Sequence, residues 1–128
     1  MNRAELNKLH TRIFDAAKEV YSELGPGLDD GLYNTCFQHE LRLQGLMFKR
    51  EVIFPVFYKN LKTAHNIKAD LLVENQVIVE LISDPVIPQS GLITMQSKLK
   101  IAGKRMGIII TFNGSGMIEG YRKVTSSV

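Results

Sequence analysis

Cysteine is nearly missing from this chain of 128 residues, where Cys36 stands alone. A single thiol excludes an internal disulfide framework, and no zinc-ligand spacing can be built around it. Long apolar runs are missing too. The longest fall far short of the roughly 20 residues that a membrane-spanning helix needs. The first ten residues, MNRAELNKLH, are polar and lack the apolar centre of a signal peptide. The expectation is a cytoplasmic protein with no membrane contact. There is no internal repeat, no low-complexity segment and no glycine-rich phosphate loop. No Ser/His/Asp or Cys/His set suggests nucleophilic catalysis, and His39 has no second ligand at metal spacing.

What is present is ordinary for a globular domain: 45% hydrophobic and 23% charged residues, enough for one core. Residues 1–128 are therefore expected to form one domain. The net charge of +3 is unevenly spread. From Pro85 onward there are six basic residues (Lys98, Lys100, Lys104, Arg105, Arg122, Lys123) and one acid, Glu119. A basic half can attract nucleic acid, although such a run is more often a solvated face.

The most informative stretch is NIKADLLVENQVIVELI, Asn66 to Ile82. Two apolar, β-branched-rich runs flank Glu74-Asn75-Gln76, the pattern of a hairpin with a three-residue connection. Pairing Val73 with Val77 puts Leu72 opposite Ile78, Leu71 opposite Val79, Asp70 opposite Glu80 and Lys68 opposite Ile82. Like charges facing across a ladder are destabilising. A buried acidic pair needs a shared proton or a bound cation to be tolerated. Hard oxygen ligands suit Mg²⁺ or Mn²⁺. The plainer alternative leaves one carboxylate in water at a strand end.

Around this hairpin, Ala4–Leu24 reads as an amphipathic helix with Leu6, Leu9, Ile13, Ala17, Val20 and Leu24 on one stripe. Gly25-Pro26-Gly27 ends it. A second helix, about Gly31 to Gln44, has Leu32, Cys36, Phe37 and Leu41 inward. Asp29 or Asp30 can cap it. Lys49–Tyr58 reads as a strand with Pro55 marking an edge or a bulge. Leu61–His65 is a short variable segment. Leu92–Ala102 reads as a helix with Ile93, Met95 or Gln96, Leu99 and Ala102 inward. Met106–Phe112 is an apolar run fit for a strand buried on both faces. Met117–Val124 is a last strand, and the tail TSSV is expected to fray. The order predicts an α/β chain, α+β in sequence, with a mixed central sheet.

Several stretches in this order, ELGPGLDDGLYNTCFQHELRLQGL, FPVFYKN, KADLLVENQVIVEL and LKIAGKRMGIIITFN, resemble the small bacterial GxxExxY proteins, a branch of the PD-(D/E)XK nuclease superfamily. The resemblance covers roughly Ile13 to Asn113. It implies a restriction-endonuclease-like core, a mixed sheet flanked by helices. It also implies a site in which Asp70, Glu80 and Asp30 hold Mg²⁺ or Mn²⁺. Gly27, Asp30 and Tyr33 fall on the family's Gly–Glu–Tyr motif, with aspartate in place of glutamate. Asp70 falls on the PD aspartate, Glu80 and Ile82 on the (D/E)XK pair, and Thr94 on a downstream helix glutamine, with Gln96 two residues away. An aspartate at position 30 shortens the reach by about 1.5 Å. Ile82 can neither position a water nor offset phosphate charge as the motif lysine would.

Three functions follow. The first is a degenerate nuclease-fold domain, catalytically weak or inactive, that binds nucleic acid or a protein partner. The second is an active Mg²⁺-dependent nuclease whose lysine has migrated to Lys68 or Lys98. The third is a structural or interaction protein, such as a homodimer, that uses the fold only as a scaffold.

Overall fold

The computed structural model describes residues 1–126. Its elements are α1 (Arg3–Leu24), α2 (Asp30–Leu43), β1 (Phe48–Tyr58), β2 (Leu61–Val73), β3 (Val77–Ile82), α3 (Gln89–Ala102), β4 (Met106–Thr111) and β5 (Tyr121–Thr125). Five strands form one sheet in the order β1-β2-β3-β4-β5. All neighbours are antiparallel except β3 and β4, which are parallel and joined through α3. The mixed sheet flanked by helices is the expected α+β, restriction-endonuclease-like architecture.

Two cores sit on opposite faces of the sheet. On one, Leu6, Leu9, Ile13 and Val20 of α1 and Tyr33, Phe37 and Leu41 of α2 pack on Val77, Val79, Ile108 and Ile110. On the other, Met95 and Leu99 of α3 pack on Leu72, Ile78, Ile109 and Val124. β4 is covered on both faces, and all six of its residues are buried. This is why its sequence reads as an unbroken apolar run.

Several details differ from the expectations. The α2 stripe is Tyr33, Phe37 and Leu41, spaced four apart, and it leaves Leu32 exposed. In α3 the Met95/Leu99 pair sets the helix phase, so Ile93 faces solvent. Residues 61–65 are not a variable segment. They begin β2 and pair with the outer half of β1. Their side chains are mostly exposed, so no burial pattern marked them. Residues Met117 to Gly120 are turns, and β5 starts only at Tyr121. Thr125 closes β5 and the Ser126 N–H donates to the Arg105 carbonyl, so this part of the tail is bonded. Positions 127 and 128 of the tail lie outside the described residues. Pro55 lies on the edge strand beside a register shift, as its ring requires.

Gly120 locks the end of β4. Its carbonyl accepts from the Thr111 N–H at 2.8 Å, and a Cβ at this position would stand 2.5 Å from the Thr111 carbonyl oxygen. Gly120→Ala is expected to destabilise the protein by about 1–3 kcal/mol through overpacking against backbone. The urea unfolding midpoint reads this out.

Candidate active site

The ladder between β2 and β3 has only three pairs: Val73↔Val77, Leu72↔Ile78 and Leu71↔Val79. The expected register is correct to this point, and then the strands part. Asp70 and Glu80 are the first residues beyond the last rung. Each carboxylate takes up an amide of the other strand. The Asp70 N–H donates to Glu80 Oε2 at 3.3 Å, and the Leu81 N–H donates to Asp70 Oδ2 at 3.1 Å. Side-chain oxygens thus replace the carbonyls that a continuing ladder would supply, which satisfies the half-buried amides.

A twist in the neighbouring strands directs Asp70 to this opening. The β1/β2 register steps from Arg50↔Leu71 to Val52↔Ala69 and skips Glu51 and Asp70. Glu51 has φ 49°, a left-handed value uncommon outside glycine. Phe48 and Leu71 pack with α1 and α2, whereas Val52 and Ala69 pack with α3. These pairs have the parity of a single face, so both strands invert their facing between them.

The two lysine candidates separate here. Lys68 does not lie opposite Ile82. It pairs with Ile53 of β1, because β2 has already left β3. Its ammonium sits 3.3 Å from Glu51, with side chains 52% and 74% exposed, so the ion pair is a weak surface one. Lys98 comes from α3, and its Nζ reaches Glu80 Oε1 at 2.7 Å and the Lys68 carbonyl at 3.1 Å. Here the side chains are only 24% and 13% exposed. Ile82 packs on the α3 core. Thr94 lines the same cavity as Glu80, Ile82 and Lys98, one helical turn before Lys98. Gln96 faces elsewhere and donates to the Thr125 carbonyl.

Asp30 is not the cap of α2. Asp29 takes that role, its carboxylate accepting from the Gly31 N–H at 3.0 Å. Asp30 is thereby released toward the sheet, where its Oδ2 accepts from the Ser83 hydroxyl. Asp30 and Asp70 line one pocket of about 220 Å³ with Tyr33, Asn34 and Ser83. Tyr33 fixes the approach to α2. Its hydroxyl donates to the Gly25 carbonyl and accepts from the Leu28 N–H at 3.0 Å, and its ring stacks on Phe112.

The basic residues of the second half are not all gathered at the site. Lys98 lies in the site. Lys104 and Arg105 precede β4 at the far end of the sheet, bonding Asn75 and Met1 carbonyls. Lys104 and Arg105 therefore stand apart from the site that holds Lys98.

A model of the PD-(D/E)XK nuclease superfamily matches residues 7–124. The chain belongs to this superfamily. No curated protein and no solved structure matches it. Nucleases of this superfamily generally use divalent metals. A carboxylate has about four acceptor positions. Asp70 accepts from the Leu81 N–H, Glu80 accepts from the Asp70 N–H and Lys98, and the two carboxyl groups share a hydrogen bond with each other. Hard oxygen sites therefore remain on both, which suits Mg²⁺, an ion usually held by one or two carboxylates plus water and phosphate. No group of three or more His, Cys, Asp or Glu gathers at metal-holding range among the described residues. Asp30 thus completes the pocket wall rather than a preformed cage.

Burial pushes the Glu80 carboxyl up to about 7. The hydrogen bond from Lys98 opposes this, and the neighbouring Asp70 adds to it. An acid whose pKa is raised on folding contributes its stability below the unfolded value near 4.5. That contribution is lost as pH climbs through the window to about 7, where the unfolded carboxyl is already ionised and folding must return its proton. Glu80→Gln should therefore gain melting temperature relative to the wild type at pH 8 compared with pH 5. Thermal melts of both proteins at the two pH values check this.

Proposed function

We infer that this is a divalent-metal-dependent nuclease of the GxxExxY type in which Lys98 has taken over from the missing motif lysine. The observation that carries the reading is the 2.7 Å contact between Lys98 Nζ and Glu80 Oε1. An ammonium is thus delivered to the (D/E)XK acid from the neighbouring helix, not from two residues along the strand.

Asp70 and Glu80 would hold Mg²⁺ or Mn²⁺, with Asp30 and Ser83 on the wall of the pocket that Asp70 lines. The chemistry a bound ion supplies is polarisation of a phosphoryl oxygen and a hydroxide available near neutral pH. Lys98 offsets charge that builds on the phosphate and holds a water by hydrogen bonding. The Lys68 carbonyl orients the Lys98 ammonium, so position 68 contributes its backbone and not its side chain. Burial favours a proton on Glu80, so a cation must displace that proton to bind there.

A second reading is binding without cleavage. The same contact favours it, because a lysine that neutralises Glu80 also competes with a cation for that carboxylate. In that case the domain holds phosphates electrostatically, and its affinity falls steeply with salt.

Lys98→Ala should lower Mg²⁺- or Mn²⁺-dependent cleavage of DNA or RNA by about 10²–10³-fold. Lys68→Ala should change it by less than about threefold, as expected for an exposed pair. Salt-sensitive binding without any Glu80-dependent cleavage would select the second reading. In calorimetry, Mn²⁺ binding should vanish in the Asp70→Ala/Glu80→Ala double variant; retained binding there would remove both acids from the site.

A further inference from the structure

We propose that the cavity beside Ile82 is a subsite for one unstacked nucleobase, so that the substrate is a single-stranded or frayed nucleic acid. This rests on the functional reading above and names its substrate class. The cavity measures about 260 Å³ and opens next to Glu80 and Lys98. Its walls are Ile82, Pro88, Met95 and Ile109, and Gly91 leaves its floor open. It is smaller than the ~300–1,000 Å³ pockets that take drug-sized ligands, which matches one planar ring system. The hydroxyls of Ser90 and Thr94 and the carboxylate of Asp84 also line it. None of the three side chains has a hydrogen-bond partner among the described residues, so all remain available to the polar edge of a base.

The isoleucine is what makes this cavity apolar. A lysine at position 82 would carry an ammonium along the wall that Ile82 now forms. With the cation brought in by α3, the space beside the acids is left greasy on its faces and polar at its rim. That is the chemistry with which enzymes hold an extruded base, between apolar side chains and hydrogen-bonding groups. A base paired in a duplex is stacked and cannot enter without paying for its extrusion, whereas a single strand presents it freely.

The test compares single strands of about eight nucleotides, oligodeoxyadenosine and its fully abasic counterpart, by fluorescence anisotropy at low salt with Ca²⁺ as the divalent ion. Wild type should bind the intact strand at least about fivefold more tightly than the abasic one. Gly91→Leu extends a side chain into the cavity, since a Cβ there already meets Pro88 and Ile109 at 3.6 and 3.8 Å. It should bring the two strands within about twofold while leaving abasic binding unchanged. If Gly91→Leu melts below assay temperature, Gly91→Met, whose flexible chain adapts to irregular space, must give the same collapse. Equal wild-type affinity for the two strands, with cleavage intact, overturns the subsite alone. A preference that persists in a folded Gly91 variant also overturns it, because the base is then read elsewhere. Failure to bind either strand overturns the functional reading and the subsite with it.

Discussion

The site depends on the point where β2 and β3 part company after Leu71 and Val79. Two strands that stop pairing inside a sheet leave amides without acceptors, and a half-buried orphan amide is costly. Asp70 and Glu80 meet this cost reciprocally, each carboxylate accepting the other strand's N–H. The acids are therefore structural and chemical together. They stabilise the divergence and line the cavities on either side of it, Glu80 the one beside Ile82 and Lys98, and Asp70 the one beside Asp30. Replacing either acid by an apolar residue strands an amide of the other strand, so its effects on fold and on function must be read separately.

Two carboxyl groups this close do not both ionise freely in a partly buried place. The protein answers with a proton and a cation. Burial holds Glu80 protonated to near neutral pH, and Lys98 reaches over from α3 to pair with it. A lysine on the same strand would need position 82, which instead packs as isoleucine on the α3 core. Moving the charge to a helix exchanges a strand side chain for core packing and for a cavity. The Lys98–Glu80 contact and the cavity beside Ile82 thus arise from one arrangement of α3 on the sheet.

Much of this was legible in the chain. The hairpin register came directly from alternating apolar residues about Glu74-Asn75-Gln76, because a one-residue slip would turn every buried side chain outward. The two helices and the buried β4 followed from periodicity and from an unbroken apolar run. Other features had no local signal. Leu32 and Ile93 looked inward because three- and four-residue spacings leave a helix phase ambiguous until its neighbour is known. Asp29 and Asp30 are equivalent as caps in sequence, and only the backbone at the start of α2 assigns the cap to Asp29 and frees Asp30. The start of β2 pairs on the exposed ribbon, where polar residues suffice.

The sequence by itself determined the order of elements, the register of the central hairpin and the meeting of Asp70 with Glu80. Each is encoded by near neighbours and by the period-two and period-3.6 placement of apolar residues. Only the tertiary structure decided which lysine joins them. Lys68 is closest in sequence to the acids, but β2 leaves β3 and the inversion across Glu51 carries its ammonium to the outer ribbon. Lys98 is distant in sequence, but α3 crosses back over the parallel pair β3 and β4 and lays its face on Glu80. The placement of a side chain across a crossover is set by how the helix packs on the sheet, and no local pattern in the chain records that.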